Sequence, residues 1–185
     1  DITIDLESNT IEYHKNKSEN WKISLVDTGV ESMTGGRVKR IKEFTEGKPF
    51  LLTYGDGVSN VNIKELLELH KQRNKICTVT AVPPPGRFGI LDINSQGFVD
   101  RFIEKPENNQ TYINGGFFVC EPEVFNYIED DATIFEKEPL ENLASKNQLN
   151  SYIHSGFWKP MDTIRDKIVL EELWKKNKAP WKIWK

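Results

Sequence analysis

Asp56 is the residue in this chain best placed to do chemistry. It stands between Gly55 and Gly57 at the end of the apolar run PFLLTY. A carboxylate at the carboxyl edge of a parallel sheet lies where α/β proteins bind ligands, and flanking glycines let a bulky anion approach the backbone. Beside phosphates such a carboxylate calls for a hard cation, since Mg²⁺ takes one or two carboxylates together with substrate phosphates and water. An ordinary turn would enrich the same residue types. Asp162, in GFWKPMDT, offers a second carboxylate. It could complete a metal site with Asp56, or cap the helix that follows it. Spacing alone does not say whether the two meet.

Other candidates surround these. FIEKP supplies Glu104 and Lys105 at a strand end held by Pro106: a fixed ammonium suits a phosphate and a carboxylate suits sugar hydroxyls, though solvated strand ends have the same composition. Asn114 precedes two glycines that admit close backbone approach or mark a bulge. SMTGGR combines Ser32, Thr34, two glycines and Arg37 at a helix start, a combination suited to anions but without the GxxxxGK[ST] spacing of a Walker loop. Arg87, in PPPGRFG, adds a further guanidinium, or belongs to a plain surface turn. His14, His70 and His154 have no partner at ligand spacing, and no serine sits in a nucleophile elbow. Hydrolase chemistry is therefore poorly supported.

The elements that must carry these residues read as α/β. PFLLT, NIKELLELHKQR and ICTVTAV form a strand–helix–strand unit, expected right-handed with parallel strands and with Asn60 or Asn62 as the helix cap. ITIDL and WKISL alternate like strands, ILDI–NSQG–FVDRFI reads as a hairpin, and YINGGFFVCEP and NSYIHS read as further strands. Helices are expected after SMTGG, over EVFNYIED, over PLENLASKNQ, and from Thr163 to Asn177. With 185 residues, 37% hydrophobic and 29% charged, there is material for one substantial core. A net charge of −3 offers no general field for nucleic acid. No apolar run reaches bilayer length, and the opening residues lack a signal-peptide pattern, so a cytoplasmic location and no membrane partner are expected. Cys77 and Cys120, with no second sulfur nearby, read as core thiols.

The ordered set LVDTG, SMTGGR, LTYGDGV, PPGRFG, EKP, INGGFFV, GFWKPMDT and APWKIW resembles the glucose-1-phosphate cytidylyltransferases, within the sugar-phosphate nucleotidyltransferase superfamily, along the whole chain. That resemblance implies a Rossmann-like sheet, mostly parallel, with helices on both faces, a β-hairpin insertion and its N-terminal strands missing. Residues 1–162 would form the nucleotidyltransferase domain and 163–185 a C-terminal helix and docking tail. The activity implied joins CTP and α-D-glucose 1-phosphate into CDP-glucose, a nucleotide sugar for surface polysaccharide, with release of pyrophosphate and with Mg²⁺ as cofactor. By the same likeness Asp56 and Asp162 match metal-binding aspartates. Ser32, Arg37 and Gly55 match nucleotide contacts, and Glu104, Lys105 and Asn114 match the sugar-phosphate side.

The family's glycine-rich GGxGTRL loop is not found in these residues, which implies that the chain alone would be inactive and keeps open a non-catalytic nucleotide-sugar-binding or assembly role, or use of another NTP. A glycosyltransferase is disfavoured because no D-x-D pair accompanies Asp56. Family members assemble as homo-oligomers, commonly hexamers. Trp181 and Trp184 in the terminal APWKIWK are expected to anchor a subunit or domain contact, or else to fold back locally.

Overall fold

The computed structural model describes residues 1–14, 21–84, 90–103 and 111–184, the side chains of 90–93 and 102–103 excepted. Its first element is a hairpin of β1 (Ile2–Asp5) and β2 (Thr10–Tyr13), with Ile2 opposite Tyr13 and Ile4 opposite Ile11. The strand expected over WKISL does not form: 21–25 are irregular, and Trp21, Ile23 and Leu25 are exposed. Alternation makes a strand only where a neighbouring edge accepts the backbone hydrogen bonds. Residues 21–25 pair with no strand of the described structure.

A short helix, α1 (Thr34–Arg40), runs into a 3₁₀ turn at Lys42–Thr45. Then come β3 (Phe50–Thr53), β4 (Gly57–Ser59), α2 (Ile63–Arg73) and β5 (Cys77–Val82). The Asn62 side chain caps α2 by accepting from the backbone N–H groups of Lys64 and Glu65, leaving Asn60 without that role. The expected hairpin is present as β6 (Ile90–Ile93) and β7 (Val99–Ile103). It is followed by β8 (Ile113–Cys120), a 3₁₀ turn at Pro122–Tyr127 where EVFNYIED suggested a short helix, α3 (Glu138–Ser145), β9 (Leu149–Ile153), β10 (Trp158–Pro160) and α4 (Ile164–Lys175).

The main sheet has the order β3-β8-β5-β9. Three of its strands run the same way, β5 and β9 as a direct parallel pair. Strand β8 runs against them and separates β3 from β5, pairing antiparallel with both. The strand–helix–strand unit thus skips one position in the sheet. Hydrogen bonding decides this: β8, apolar on both faces, contributes Phe118, Val119 and Cys120 at 1% exposure or less, and a strand so buried needs partners on both edges.

The core packs on one face of the sheet, where Cys77, Phe118 and Cys120 meet Val38, Phe125, Phe135, Leu140 and Leu143. Phe118 touches Phe135 and Tyr54 edge to face, with ring centroids 5.7 and 5.8 Å apart. On the other face His70 of α2 holds Thr78 of β5 through a 2.8 Å hydrogen bond. The two cysteines are not isolated, as their sequence surroundings suggested. Cys77 and Cys120 are register partners on β5 and β8, which brings their Sγ atoms to 3.8 Å. The hydrogen bond with Cys77 and burial among apolar neighbours push the Cys120 thiol well above its ordinary pKa, and both cysteines are free and buried in the core.

At the C-terminus, Trp181 packs against Phe157 with centroids 5.4 Å apart and ring planes tilted by 31°, while Trp184 is 57% exposed. One of the two rings therefore docks locally.

The loop at 131–133 seats α1. The N–H groups of Met33 and Gly35 donate to the carbonyls of Asp131 and Thr133 at 2.8 and 2.9 Å, and Arg40 forms an ion pair with Asp131. A Cβ on Gly36 would lie 2.6 Å from the Asp131 Cα and carbonyl oxygen, both backbone atoms that cannot step aside. Gly36→Ala should therefore destabilise the full-length gene product by about 1–3 kcal/mol, read as a fall in the denaturant midpoint with unchanged slope. An unchanged midpoint would mean that the loop does not press on α1.

Candidate active site

The site is built where β3 ends. Phe50 and Leu52 pack inward, and Tyr54 extends the β3–β8 ladder by donating its N–H to the Gly116 carbonyl at 3.1 Å. The chain then bends through Gly55 and Asp56 into β4. This short strand leaves the main sheet and pairs antiparallel with β10, Gly57 opposite Pro160 and Ser59 opposite Trp158. The ladder continues one step further: the Met161 N–H donates to the Asp56 carbonyl at 2.9 Å. Asp162 follows immediately. Two aspartates far apart in sequence are thereby brought to one corner of the fold.

Asp162 does not cap α4. Thr163 does, accepting from the Asp166 N–H at 3.2 Å while the Asp166 carboxylate accepts from the Thr163 N–H and hydroxyl. Such a capping box satisfies two helix-end donors. Lys159 reaches the same carboxylate at 2.7 Å, and Asp166 is only 3% exposed. Among the described residues, the side chains of Asp56 and Asp162 make no hydrogen bond or ion pair. Both are exposed.

An open cleft of about 670 Å³ lies beside Asp56, lined by Thr34, Tyr54, Gly55, Asp56, Asn114 and Glu136. Tyr54 and Glu136 were not singled out in the sequence, whereas Thr34 was, as part of the SMTGGR combination suited to anions. Tyr54 could have been, as the residue just before Gly-Asp-Gly at a strand end. Glu136 comes from a loop and Thr34 from the start of α1, and no spacing reveals that they meet. They form one network: the Tyr54 hydroxyl donates to Glu136 Oε1 at 2.5 Å, Thr34 Oγ1 donates to Glu136 Oε2 at 2.7 Å, and Asn114 Nδ2 donates to the Tyr54 oxygen at 3.0 Å. Burial pushes the Tyr54 phenol well above its ordinary pKa, and the hydrogen bond and charge of Glu136, with the charge of Asp56, push it further. Tyr54 is a fixed neutral donor.

The glycines after Asn114 have structural causes. Gly116 adopts φ +76°, and a Cβ there would sit 2.7 Å from the Tyr54 ring. The register of β5 on β8 shifts nearby, the bulge that NGG allowed for. Trp158 of β10 donates its indole N–H to the Gly115 carbonyl at 2.8 Å, fastening the β4–β10 ribbon to the main sheet.

Other candidates lie elsewhere. Ser32 is buried outside the cleft lining, and Arg37 is engaged with Thr28 Oγ1 and the Val30 carbonyl at 2.8 and 3.1 Å. Since the Gly35 and Gly36 amides already donate to Thr133, the anion-binding amides suggested by SMTGGR are occupied by backbone. Glu104, Lys105 and Arg87 lie outside the described residues. Those residues contain no group of three His, Cys, Asp or Glu side chains poised to hold a metal. A cation here would rest on Asp56, Asp162, substrate oxygens and water, a donor set suited to Mg²⁺. No helix among the described residues is long and apolar enough to cross a membrane.

A carboxylate-bearing cleft at the edge of an α/β sheet is where such folds bind ligands, and the chain belongs to the nucleotidyl transferase family, whose model matches residues 2–169. Along its whole length it is similar to the glucose-1-phosphate cytidylyltransferase of Salmonella typhimurium, with 51% identity over 185 residues covering 100% of this chain and 72% of that one. The probable glucose-1-phosphate cytidylyltransferase of Bacillus subtilis is 40% identical over 167 residues, 90% of this chain and 65% of that one. Among solved structures, a putative glucose-1-phosphate thymidylyltransferase from Bacillus anthracis shares the fold, with TM-score 0.55 at 15% identity over 83% of this chain and 63% of that one.

A Cβ added to Gly55 would meet nothing within 4 Å, and its φ is not in the left-handed range. Folding therefore does not require glycine there. Gly55→Ala should leave stability within about 0.5 kcal/mol while lowering kcat/KM for the nucleotide. Full activity in a stable Gly55→Ala protein would show that no ligand approaches this backbone.

Proposed function

We propose that the full-length protein is a glucose-1-phosphate cytidylyltransferase, forming CDP-glucose and pyrophosphate from CTP and α-D-glucose 1-phosphate. The observation that carries this reading is the 51% identity to the Salmonella enzyme across every residue of the chain. The cleft agrees with it, because its lining presents the Asp56 carboxylate, without a hydrogen bond or ion pair among the described residues, together with a fixed amide and a fixed phenol.

The reaction is an in-line attack by an oxygen of the sugar phosphate on the α-phosphorus of CTP. The P–O bond to the β-phosphate breaks, and pyrophosphate carries the electron pair away. The attacking oxygen is already ionised at neutral pH, so no general base is needed, and the work lies in positioning and charge neutralisation. Asp56 and Asp162 would hold Mg²⁺, which when bound neutralises charge on the phosphates. Gly55, with no side chain, gives the nucleotide access to the backbone beside Asp56, and Ser32 in the loop before α1 and Arg37 within α1, which holds that loop through Thr28 and Val30, would support the nucleotide side. Lys105 would fix the sugar phosphate as a point charge, with Glu104 and Asn114 on the sugar. Exposed Ile183 and Trp184 beside the docked Trp181 fit a homo-oligomer, in the hexameric form known for such enzymes.

The direct test is pyrophosphate release by the full-length gene product with glucose 1-phosphate and CTP, UTP, dTTP or GTP in turn, where CTP should be strongly preferred. Asp56→Asn and Asp162→Asn should each lower kcat about a hundredfold or more at ordinary Mg²⁺ with an unchanged circular dichroism spectrum. Lys105→Ala should instead raise KM for glucose 1-phosphate far more than KM for CTP. Near-normal turnover in either aspartate variant would remove that residue from the site.

A further inference from the structure

The hydrogen bonds around Tyr54 run in one direction only. Glu136 accepts at both oxygens, from Tyr54 and from Thr34. The Tyr54 proton is thereby committed to Glu136, and the phenol oxygen can only accept, which it does from Asn114 Nδ2 at 3.0 Å. At the other end of the same amide, Asn114 Oδ1 accepts from the Gly116 N–H at 2.8 Å. An amide side chain has two orientations of similar shape, and this one is polarised from both ends. Its second N–H has no protein partner among the described residues and belongs to the cleft wall.

We propose that Tyr54 and Glu136 are positioning residues which act through Asn114, locking its amide so that a donor faces the oxygen-rich hexose 1-phosphate. The proposal rests on the sugar-phosphate reading of the cleft given above. Asn114 is the group that touches substrate, and Tyr54 and Glu136 do not touch it. The phenol is suited to the task because its raised pKa keeps the proton in place at any working pH. Its ring is pinned between Phe118 and Gly116. Thr34, whose oxygen also accepts from the Phe135 N–H at 2.9 Å, fixes the far side of Glu136 and ties the network to α1.

The test uses steady-state kinetics of the full-length gene product with each substrate varied separately. Tyr54→Phe keeps the ring and removes only the hydroxyl. It should raise KM for glucose 1-phosphate about tenfold, equivalent to about 1.4 kcal/mol, while KM for CTP and the thermal midpoint stay near wild type. Glu136→Ala should match it by a different route, whereas Glu136→Gln keeps an acceptor for the phenol and should recover most of the loss. In an Asn114→Ala background, Tyr54→Phe should add nothing, because the group it orients is gone. An unchanged KM for glucose 1-phosphate in a folded Tyr54→Phe protein, or full additivity with Asn114→Ala, overturns the proposal while leaving cytidylyl transfer intact. Absence of turnover in the wild-type protein would instead remove the functional reading, and the proposal with it.

Discussion

The hydrogen bond from Met161 to the Asp56 carbonyl, last rung of the β4–β10 ladder, is the constraint on which the site depends. Without it Asp56 would be an aspartate in a glycine turn and Asp162 an aspartate before a helix. Neighbouring interactions hold the rung in place. Trp158 fastens β10 to the Gly115 carbonyl, Ser59 donates to the Phe157 carbonyl at 2.8 Å, and the Lys159–Asp166 pair joins the ribbon to the start of α4. A short two-stranded ribbon has little stability of its own. Here it inherits stability from the sheet and from a capped helix.

The electrostatics follow from that geometry. Asp56 and Asp162, with Glu136 across the cleft, would repel two phosphate-bearing substrates. The cations that the surrounding motifs contribute to the described structure are committed: Lys159 to Asp166, and Arg37 to the Thr28–Val30 loop. A cleft of this kind binds anions when a divalent cation intervenes, which is why two carboxylates without hydrogen bonds or ion pairs among the described residues are informative. Glu136 differs. Its charge is spent on holding Tyr54 and Thr34, so it organises the wall of the cleft.

Periodicity and capping chemistry made much of the architecture readable in advance. Helices α2 and α4, the β6–β7 hairpin and strand β3 before Asp56 stand where apolar spacing and caps placed them, because each is decided by local preference together with burial, whereas the short strands β4 and β10 were not foreseen. Pairing was less legible. Nothing local says that β8 enters between β3 and β5, that Cys77 and Cys120 become register partners, or that WKISL finds no edge. Those outcomes depend on which strand edges remain unfilled. The same limit applies at the site. Asp56 announced itself through its glycines, yet Glu136 lies in a loop with no distinctive neighbours, and only the fold places it against Tyr54. In SMTGGR the glycines looked like ligand contacts and prove to be packing contacts with 131–133.

The central claim is that one metal ion is shared by Asp56 and Asp162. Mn²⁺ substituted for Mg²⁺ in crystals of the full-length protein with CTP, located by anomalous scattering, tests it directly. The account predicts a single strong peak within bonding distance of both carboxylates and of phosphate oxygens. A peak that touches neither aspartate would contradict it.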